Sequence, residues 1–154
     1  MDAFDAQAES TGKPAGRSLP VSVKGVVFDD RDRVLLLRNP RREFELPGGR
    51  PEPGESYQQC VVREIEEEAG WEVVAGPWLD EWVYEPLPGR RVRIVTYGCH
   101  LAAGSGAVRL SDEHSDGGLF AVAELPGLPL PGGYARSVAA WAGHPARTRP
   151  DTAS

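Results

Sequence analysis

The chain has 154 residues, which is enough for one ordinary domain and little more. Charged residues make up 26% of it and the hydrophobic set 40%, a composition typical of globular rather than disordered or fibrous proteins. The formal net charge of −6 argues against a surface that binds nucleic acid through general basicity. A small molecule that carries phosphate is compatible with this charge, because a metal ion can supply positive charge.

The sequence shows no sign of a membrane segment. No apolar run approaches the roughly 20 residues that a membrane helix needs. The first residues, MDAFDAQAESTGKPAGRSLP, lack the apolar stretch and basic leader of a signal peptide. Cys60 and Cys99 are the only cysteines and do not form a CxxC pair, which favours reduced thiols. We therefore expect a cytoplasmic protein with no membrane partner.

The predicted elements begin after a small, polar segment, residues 1–18, which we expect to be disordered. Alternating β-branched residues predict a strand over 21–28, and RVLLLR predicts a second over 33–38, with the turn DDRD between them. Residues 71–85 predict one or two further strands. The proline-bearing stretch EPLPGRR, residues 85–91, predicts a turn.

The C-terminal third predicts two more strands and a helix. Strands are expected over 92–103 and 118–122, and the apolar spacing of YARSVAAW predicts a closing helix over 134–141. Strands and two helices alternate without regular βαβ units, which favours an α/β fold of the α+β type with a mixed sheet flanked by helices. We expect one domain over 19–142 and a disordered tail over 143–154.

The clearest helix is predicted from Tyr57 to Ala69, between two capping signals. Ser56 followed by Gln59 fits a capping box, and Gly70 is placed as the glycine just past a helix end. At about 100° per residue, one side of this helix forms an apolar stripe that faces the core. The members of the stripe are Val61, Val62, Ile65 and Ala69.

The same helix carries four glutamates in five positions, although like charges one turn apart repel. Glu64, Glu67 and Glu68 share one arc that borders the apolar stripe, whereas Glu66 falls on the far side. Acidic runs are most often solvated faces. This triplet instead abuts the stripe, and only Arg63 on the helix compensates it. Three carboxylates so arranged suit a hard divalent cation such as Mg²⁺, with Mn²⁺ as an alternative.

The loop before this helix, LPGGRPEPGE at residues 46–55, is rich in glycine and proline. It leads into a helix N-terminus, where phosphates are favoured, and glycine permits close approach of the backbone. It matches neither a Walker loop nor a GxGxxG fingerprint. We expect Gly48, Gly49 and Arg50 to form a phosphate-binding loop.

This loop and helix together resemble the Nudix box, G-x5-E-x7-R-E-U-x-E-E-x-G-U, where U is a bulky apolar residue. Gly49, Glu55 and the run REIEEEAGW at residues 63–71 match every fixed letter and both spacers. Trp71 stands where an aliphatic residue is usual. The LPGG entry and the stretch SDEHSDGGLF are also similar to the family, and the resemblance covers about residues 19–142. It implies a Nudix-type α/β/α sandwich around a mixed β-sheet.

The resemblance also implies a reaction, the hydrolysis of a nucleoside diphosphate linked to another moiety. It implies that Glu55 and Arg63 brace the loop and that Mg²⁺ or Mn²⁺ is held by three glutamates: Glu64, Glu67 and Glu68. A carboxylate must accept the proton of the attacking water, and Glu64 and Glu113 are the two candidates. Glu113 lies in SDEHSDGG, where Asp112, His114 and Asp116 also crowd the loop.

Substrate contacts are expected in two places, ahead of the LPGG entry and around the EPLPGRR turn. The first group is Arg41, Arg42 and Phe44, and the second is Trp82, Tyr84, Arg90, Arg91 and Arg93. From these, Arg42, Phe44, Tyr84 and Arg91 are the preferred candidates for contacting a base or phosphate. The partner is thus a small-molecule nucleotide, with no nucleic acid; a homodimer is compatible with the sequence, which leaves the oligomeric state open.

The choice of substrate depends on weaker signals. Pro86 lies fifteen residues beyond the box, where family members that hydrolyse ADP-ribose tend to show a proline. The resemblance therefore slightly favours ADP-ribose or an ADP-sugar over an ordinary or oxidised nucleoside triphosphate. Neither the SQPWPFPxS pattern of NADH-cleaving members nor a coenzyme-A-type pattern is present. A nucleotide-sensing domain without catalysis and a carbocation isomerase are the alternatives from other classes, and the intact box argues against both.

Overall fold

The computed structural model describes residues 19–102 and 117–148. Residues 1–18, 103–116 and 149–154, which include the predicted disordered N-terminal segment, Glu113 and the end of the predicted tail, lie outside the described residues. The strands are β1 (Val21–Val27), β2 (Arg33–Arg38), β3 (Phe44–Glu45), β4 (Gly48–Gly49), β5 (Val73–Leu87), β6 (Arg90–Leu101) and β7 (Gly118–Ala121). The α-helices are α1 (Tyr57–Ala69) and α2 (Gly132–Ala142), and two short 3₁₀ helices span Val122–Gly127 and Pro145–Arg147.

The strands form a larger mixed sheet and a smaller antiparallel one. The larger sheet has the order β4-β1-β6-β5, in which β1 and β6 are parallel and the other pairs are antiparallel. The smaller sheet has the order β3-β2-β7. Helix α1 packs on one side of β1 and α2 on the other, so the predicted α/β sandwich around a mixed sheet is confirmed.

Two apolar cores lie on the two faces of the larger sheet, and the period-2 alternation of β1 supplies both. Val23 and Val27 point into the core beneath α1, where they meet Ile65. Val26 points into the core beneath α2, where it meets Trp141. All five side chains are essentially inaccessible to water. The alternation of strand residues therefore fixes which face of the sheet each helix covers.

Helix α1 begins and ends where the sequence predicts. The side-chain oxygen of Ser56 accepts a hydrogen bond from the Gln59 amide, and Gly70 adopts a left-handed φ of 72°. The buried stripe differs in one member, because Cys60 is buried and Val62 only half-buried. The reason is the loop before the helix, which covers Cys60 and accepts a hydrogen bond from its thiol at the Gly49 carbonyl.

Strands β5 and β6 form one long hairpin, and the predicted turn over 85–91 is too long. The ladder continues to the pair Leu87 and Arg90, which leaves only Pro88 and Gly89 in the turn. Gly89 has a φ of +81°, a conformation that glycine adopts without steric cost. Residues 71–85 thus contribute to a single strand, β5, and its pairing with β6 shifts register at three points.

The C-terminal end is more ordered than the sequence predicts. Helix α2 begins two residues before the predicted start, at Gly132, and a 3₁₀ helix follows it. His100 Nε2 lies 2.9 Å from the Ala146 carbonyl oxygen, and the Arg147 guanidinium lies 4.2 Å from the centre of the Phe28 ring. The expectation of disorder from residue 143 onward is therefore wrong for residues 143–148, which pack on the domain. In the described part of the chain, no helix has the length and apolarity to cross a membrane.

The contact between Gly98 and the buried Trp141 ring yields a test of this packing. A Cβ atom at Gly98 would lie 2.4 Å from ring atoms of Trp141. We expect Gly98→Ala to lower the free energy of unfolding by about 1–3 kcal/mol, because an overpacked core must shift. Gly132→Ala is the control, since its Cβ would meet nothing within 4 Å. Urea denaturation of both variants measures the difference, and equal stabilities would contradict this packing.

Candidate metal and substrate site

The two glycines of β4 bring the loop against both the sheet and helix α1. Gly49 pairs with Val23 and Gly48 with Lys24. Gly48 has a φ of +148°, and a Cβ atom there would lie 2.0 Å from the Val23 carbonyl oxygen. A Cβ atom at Gly49 would lie 2.5 Å from the carboxyl carbon of Glu64. At Gly48 only glycine permits the approach, and at Gly49 a Cβ atom would displace the Glu64 carboxylate, so these residues place the loop backbone directly beside the acidic face of α1.

The Arg63 side chain ties this loop to the helix. Its Nε and Nη2 donate hydrogen bonds of 2.7 and 2.9 Å to the two carboxylate oxygens of Glu55. Its Nη1 donates to Glu64 at 3.0 Å and to Glu67 at 3.2 Å, and its Nη2 donates to the Arg50 carbonyl at 3.3 Å. The hydrogen bonds from Arg63 are the main reason that the pKa of Glu55 falls to about 2. Arg63 therefore contacts both the loop and the helix that the family resemblance implies it braces.

The three predicted metal ligands differ in their surroundings. The Glu68 carboxylate accepts a hydrogen bond of 3.0 Å from the Gly48 amide and is partly buried. The Glu64 side chain is 18% exposed, whereas that of Glu67 is 57% exposed. Glu66 is exposed and outside the arc of the other three, as the helical projection predicts. Glu64 and Glu68 thus lie beneath the glycine loop, with Glu67 at its outer edge.

Within residues 19–102 and 117–148, no three His, Cys, Asp or Glu side chains converge closely enough to form a ready metal centre. The donor set nevertheless fits a hard cation. The pKa of Glu68 is raised to about 7, chiefly by burial and also by the carboxylates of Glu64 and Glu45, which together outweigh the lowering effects of Lys24 and the Gly48 amide. A buried carboxylate beside a second carboxylate gains from a divalent cation, which prefers oxygen ligands.

A cleft of about 550 Å³ adjoins these carboxylates. Lys24 and Glu45 connect the two features, because both line the cleft and both act electrostatically on Glu68. The Lys24 ammonium lies 3.9 Å from a Glu45 carboxylate oxygen. The basic side chains that line the cleft are Lys24, Arg41, Arg50, Arg90 and Arg91, against one acidic side chain, Glu45. The cleft is therefore positively charged in a chain whose net charge is −6.

The substrate-contact candidates ahead of the LPGG entry lie in different surroundings. Phe44 is a core residue, 7% exposed and packed edge-on against Phe120 at 5.1 Å between ring centres. Arg42 lies outside the cleft lining, and its neighbour Arg41 lines the cleft instead. The cause is a turn closed by Asn39, whose side-chain oxygen accepts from the Arg41 amide at 2.9 Å. This turn orients the two consecutive arginines differently, which the sequence does not reveal.

Of the substrate-contact candidates around the β5–β6 turn, some line the cleft and others pack elsewhere. Tyr84 and Arg91 line the cleft, as expected. The Tyr84 hydroxyl donates to Glu43 at 2.5 Å, and burial followed by this hydrogen bond raises its pKa to about 12. Trp82 belongs to the core beneath α2, and Arg93 forms an ion pair with Glu81.

Two cleft residues, Lys24 and Glu45, were not among the sequence candidates. The sequence feature that could have indicated Lys24 is its position in the middle of the largely apolar strand VSVKGVV. In the structure Lys24 is only 6% exposed. Lysine is almost never fully buried unless it has a partner. Glu113, together with Asp112, His114 and Asp116, lies outside the described residues. The candidacy of Glu113 as the base therefore stays a prediction.

Comparison with known proteins identifies the family. A family model described as the NUDIX domain matches residues 18–141. The chain belongs to the Nudix family. This Nudix domain is 37% identical over 129 residues to the NAD-capped RNA hydrolase NudC of Pseudomonas entomophila (strain L48). The match covers 80% of the chain but 44% of that relative, so the chain spans less than half the length of the curated relatives it matches first.

Solved structures support the same assignment. The MutT protein of Methanosarcina mazei Go1 matches with a TM-score of 0.65 and 27% identity, over 77% of this chain and 88% of that one. An ADP-ribose pyrophosphatase of Streptococcus suis 89-1591 matches with a TM-score of 0.60 and 25% identity, over 79% of this chain and 88% of that one. The predictions of a Nudix hydrolase domain and of its fold are therefore confirmed.

A metal titration tests the role of the carboxylates. We expect Glu68→Gln to weaken binding of Mn²⁺ or Mg²⁺ at least tenfold. Loss of a residue that merely hydrogen-bonds to a metal ligand can already weaken metal affinity by that much, so loss of a ligand should cost no less. Isothermal titration calorimetry measures the affinity, and thermal unfolding checks that the fold is intact. Glu66→Gln is the matched control, because it removes the same charge from the exposed side of α1. Equal losses in both variants would show that the assignment of faces is wrong.

Proposed function

We propose that this Nudix domain hydrolyses the pyrophosphate bond of a nucleoside diphosphate derivative, with ADP-ribose or an ADP-sugar as the favoured class. The observation that carries the proposal is the basic cleft that adjoins the carboxylates of α1. Five basic side chains face one acidic side chain there, in an acidic protein. Such a concentration of one charge sign attracts a polyanionic ligand into the cleft.

The chain supplies the positioning and the charge that phosphoryl chemistry needs. Glu64 and Glu68 would hold a divalent cation, with Glu67 at the rim, and Arg63 orients Glu64 and Glu67 by hydrogen bonds. When bound, that cation would neutralise phosphate oxygens and lower the pKa of a bound water. Lys24 and Arg50 line the part of the cleft nearest to the glycine loop, where they can contact the phosphate chain.

The size and lining of the cleft favour a substrate with a group beyond the diphosphate. Its volume of about 550 Å³ lies in the ordinary range for sites that enclose a small organic ligand. Tyr84 and Pro86 line it, and the hydrogen bond from Tyr84 to Glu43 fixes the aromatic ring. A fixed aromatic ring suits a base or a ribose. The relatives whose printed names are NAD-capped RNA hydrolase and ADP-ribose pyrophosphatase support a diphosphate that joins two moieties.

Steady-state kinetics with Mg²⁺ will test the substrate class. We expect kcat/KM for ADP-ribose to exceed that for dGTP and 8-oxo-dGTP, because the cleft offers contacts beyond the phosphate chain. A tenfold preference for a triphosphate, about 1.4 kcal/mol in transition-state free energy, would contradict the proposal. NADH and an NAD-capped RNA belong in the same screen because of the names of the relatives. Binding without turnover of any substrate would identify a nucleotide sensor instead.

A pair of variants will identify the general base. We expect Glu113→Gln to reduce kcat by about 10²-fold or more if Glu113 accepts the proton of the attacking water, the usual loss for a general base. Metal affinity should then be unchanged in that variant. Full activity in Glu113→Gln together with an inactive Glu64→Gln would assign the role to Glu64. The Glu66→Gln variant serves as the control for a change of charge.

A further inference from the structure

Four of the five basic residues of the cleft fall into two groups that are far apart, Lys24 with Arg50 and Arg90 with Arg91. Lys24 lies opposite Gly48 on one side and opposite Thr96 on the other, so it marks the level of the glycine loop. Arg91 lies five residues before Thr96 on β6. At about 3.3 Å per residue, this places it roughly 16 Å along the strand from that level. The cleft therefore has a carboxylate end at α1 and a hairpin end at the β5–β6 turn.

The hairpin end carries two arginines, Arg90 and Arg91. Among the described residues, no ion pair involves either of them, although both line the cleft. The carboxylate of Glu85, near the end of β5, accepts a hydrogen bond of 2.8 Å from the Gly89 amide. Arginines elsewhere on the domain do find partners: Arg33 with Asp29, Arg63 with Glu55, Arg93 with Glu81 and Arg136 with Asp80.

The wall that carries these arginines is held in place by side-chain contacts. The rings of Trp82 and Tyr84 are 5.4 Å apart between centres, and Trp82 packs edge-on against Tyr134 of α2 at 5.1 Å. The hydrogen bond from Tyr84 to Glu43 attaches β5 to the segment between β2 and β3. Arg90 and Arg91 lie on β6, which pairs with this anchored strand, so little of their binding free energy is lost in ordering the backbone.

We propose that the substrate carries a phosphomonoester on the ribose of its nucleoside half, remote from the scissile diphosphate, and that Arg90 and Arg91 bind this group. The proposal rests on the proposed function. A diphosphate is only two phosphoryl groups long, so it cannot occupy both ends of the cleft. The ring of Tyr84 suits the base, and Tyr84 pairs with Val92, the residue next to Arg91. Guanidinium groups bind phosphate through paired, charge-assisted hydrogen bonds.

Three matched substrate pairs, each differing by one phosphomonoester on the adenosine ribose, will test the proposal by kcat/KM. The pairs are ADP-ribose with its 2′-phosphate, NADH with NADPH, and dephospho-coenzyme A with coenzyme A. We expect at least one phosphorylated member to be preferred about fivefold or more, which corresponds to about 1 kcal/mol. In the double variant Arg90→Gln and Arg91→Gln, that ratio should fall to about one. Arg31→Gln is the control, since this exposed arginine lies outside the cleft lining.

A binding measurement separates this inference from the proposed hydrolysis. We expect metal-free protein to bind adenosine 2′,5′-bisphosphate or adenosine 3′,5′-bisphosphate at least about fivefold more tightly than AMP in isothermal titration calorimetry. That preference should disappear in the double arginine variant and persist in Arg31→Gln. Preferential binding without any turnover would contradict the proposed hydrolysis alone. Turnover with ratios near one in all three pairs, or bisphosphate binding that is equal to that of AMP or undetectable, would overturn the phosphomonoester site.

Discussion

The site depends on the contacts of a single guanidinium group, that of Arg63. It lies between the loop that precedes α1 and the acidic face of α1, and it donates to Glu55, Glu64 and Glu67. The bidentate pair with Glu55 fixes the loop, while the other two contacts offset repulsion between carboxylates one turn apart. Without this cation, the helix would carry a concentrated negative charge that its own sequence does not compensate.

The same arrangement shows a conflict between stability and function. Glu68 is partly buried beneath the glycine loop, where burial raises its pKa, and a carboxylate in this position is costly to ionise without a partner. Lys24 and the Gly48 amide offset part of the cost. Gly48 and Gly49 permit the approach, because any larger residue would collide with β1 or with Glu64. The proposed binding of a divalent cation would offset this cost, and functional sites are where such violations of local rules are expected.

Charge is distributed unevenly over the molecule. The chain is acidic as a whole, yet the cleft has five basic side chains and one acidic side chain. Negative charge is concentrated on α1, and positive charge lines the cleft from Lys24 to the β5–β6 hairpin. A cation at the first and a phosphorylated nucleotide along the second would complement both regions. The length of the hairpin, which exceeds the sequence prediction, extends the basic wall away from the carboxylates.

The sequence by itself determined the elements whose signals are local. Helix α1 with both caps and strands β1 and β2 follow from residue types at fixed spacing, because capping and amphipathic spacing act within a few residues. The Nudix box is likewise a match of residue types at fixed spacing, and the brace is what the resemblance to that family implies. Only the tertiary structure decided which side chains share the cleft. Arg41 rather than Arg42 lines the cleft, Phe44 is buried in the core, and Lys24 lines the cleft although its strand is largely apolar. Those outcomes depend on contacts between residues distant in sequence, such as Tyr84 with Glu43, which no local pattern encodes.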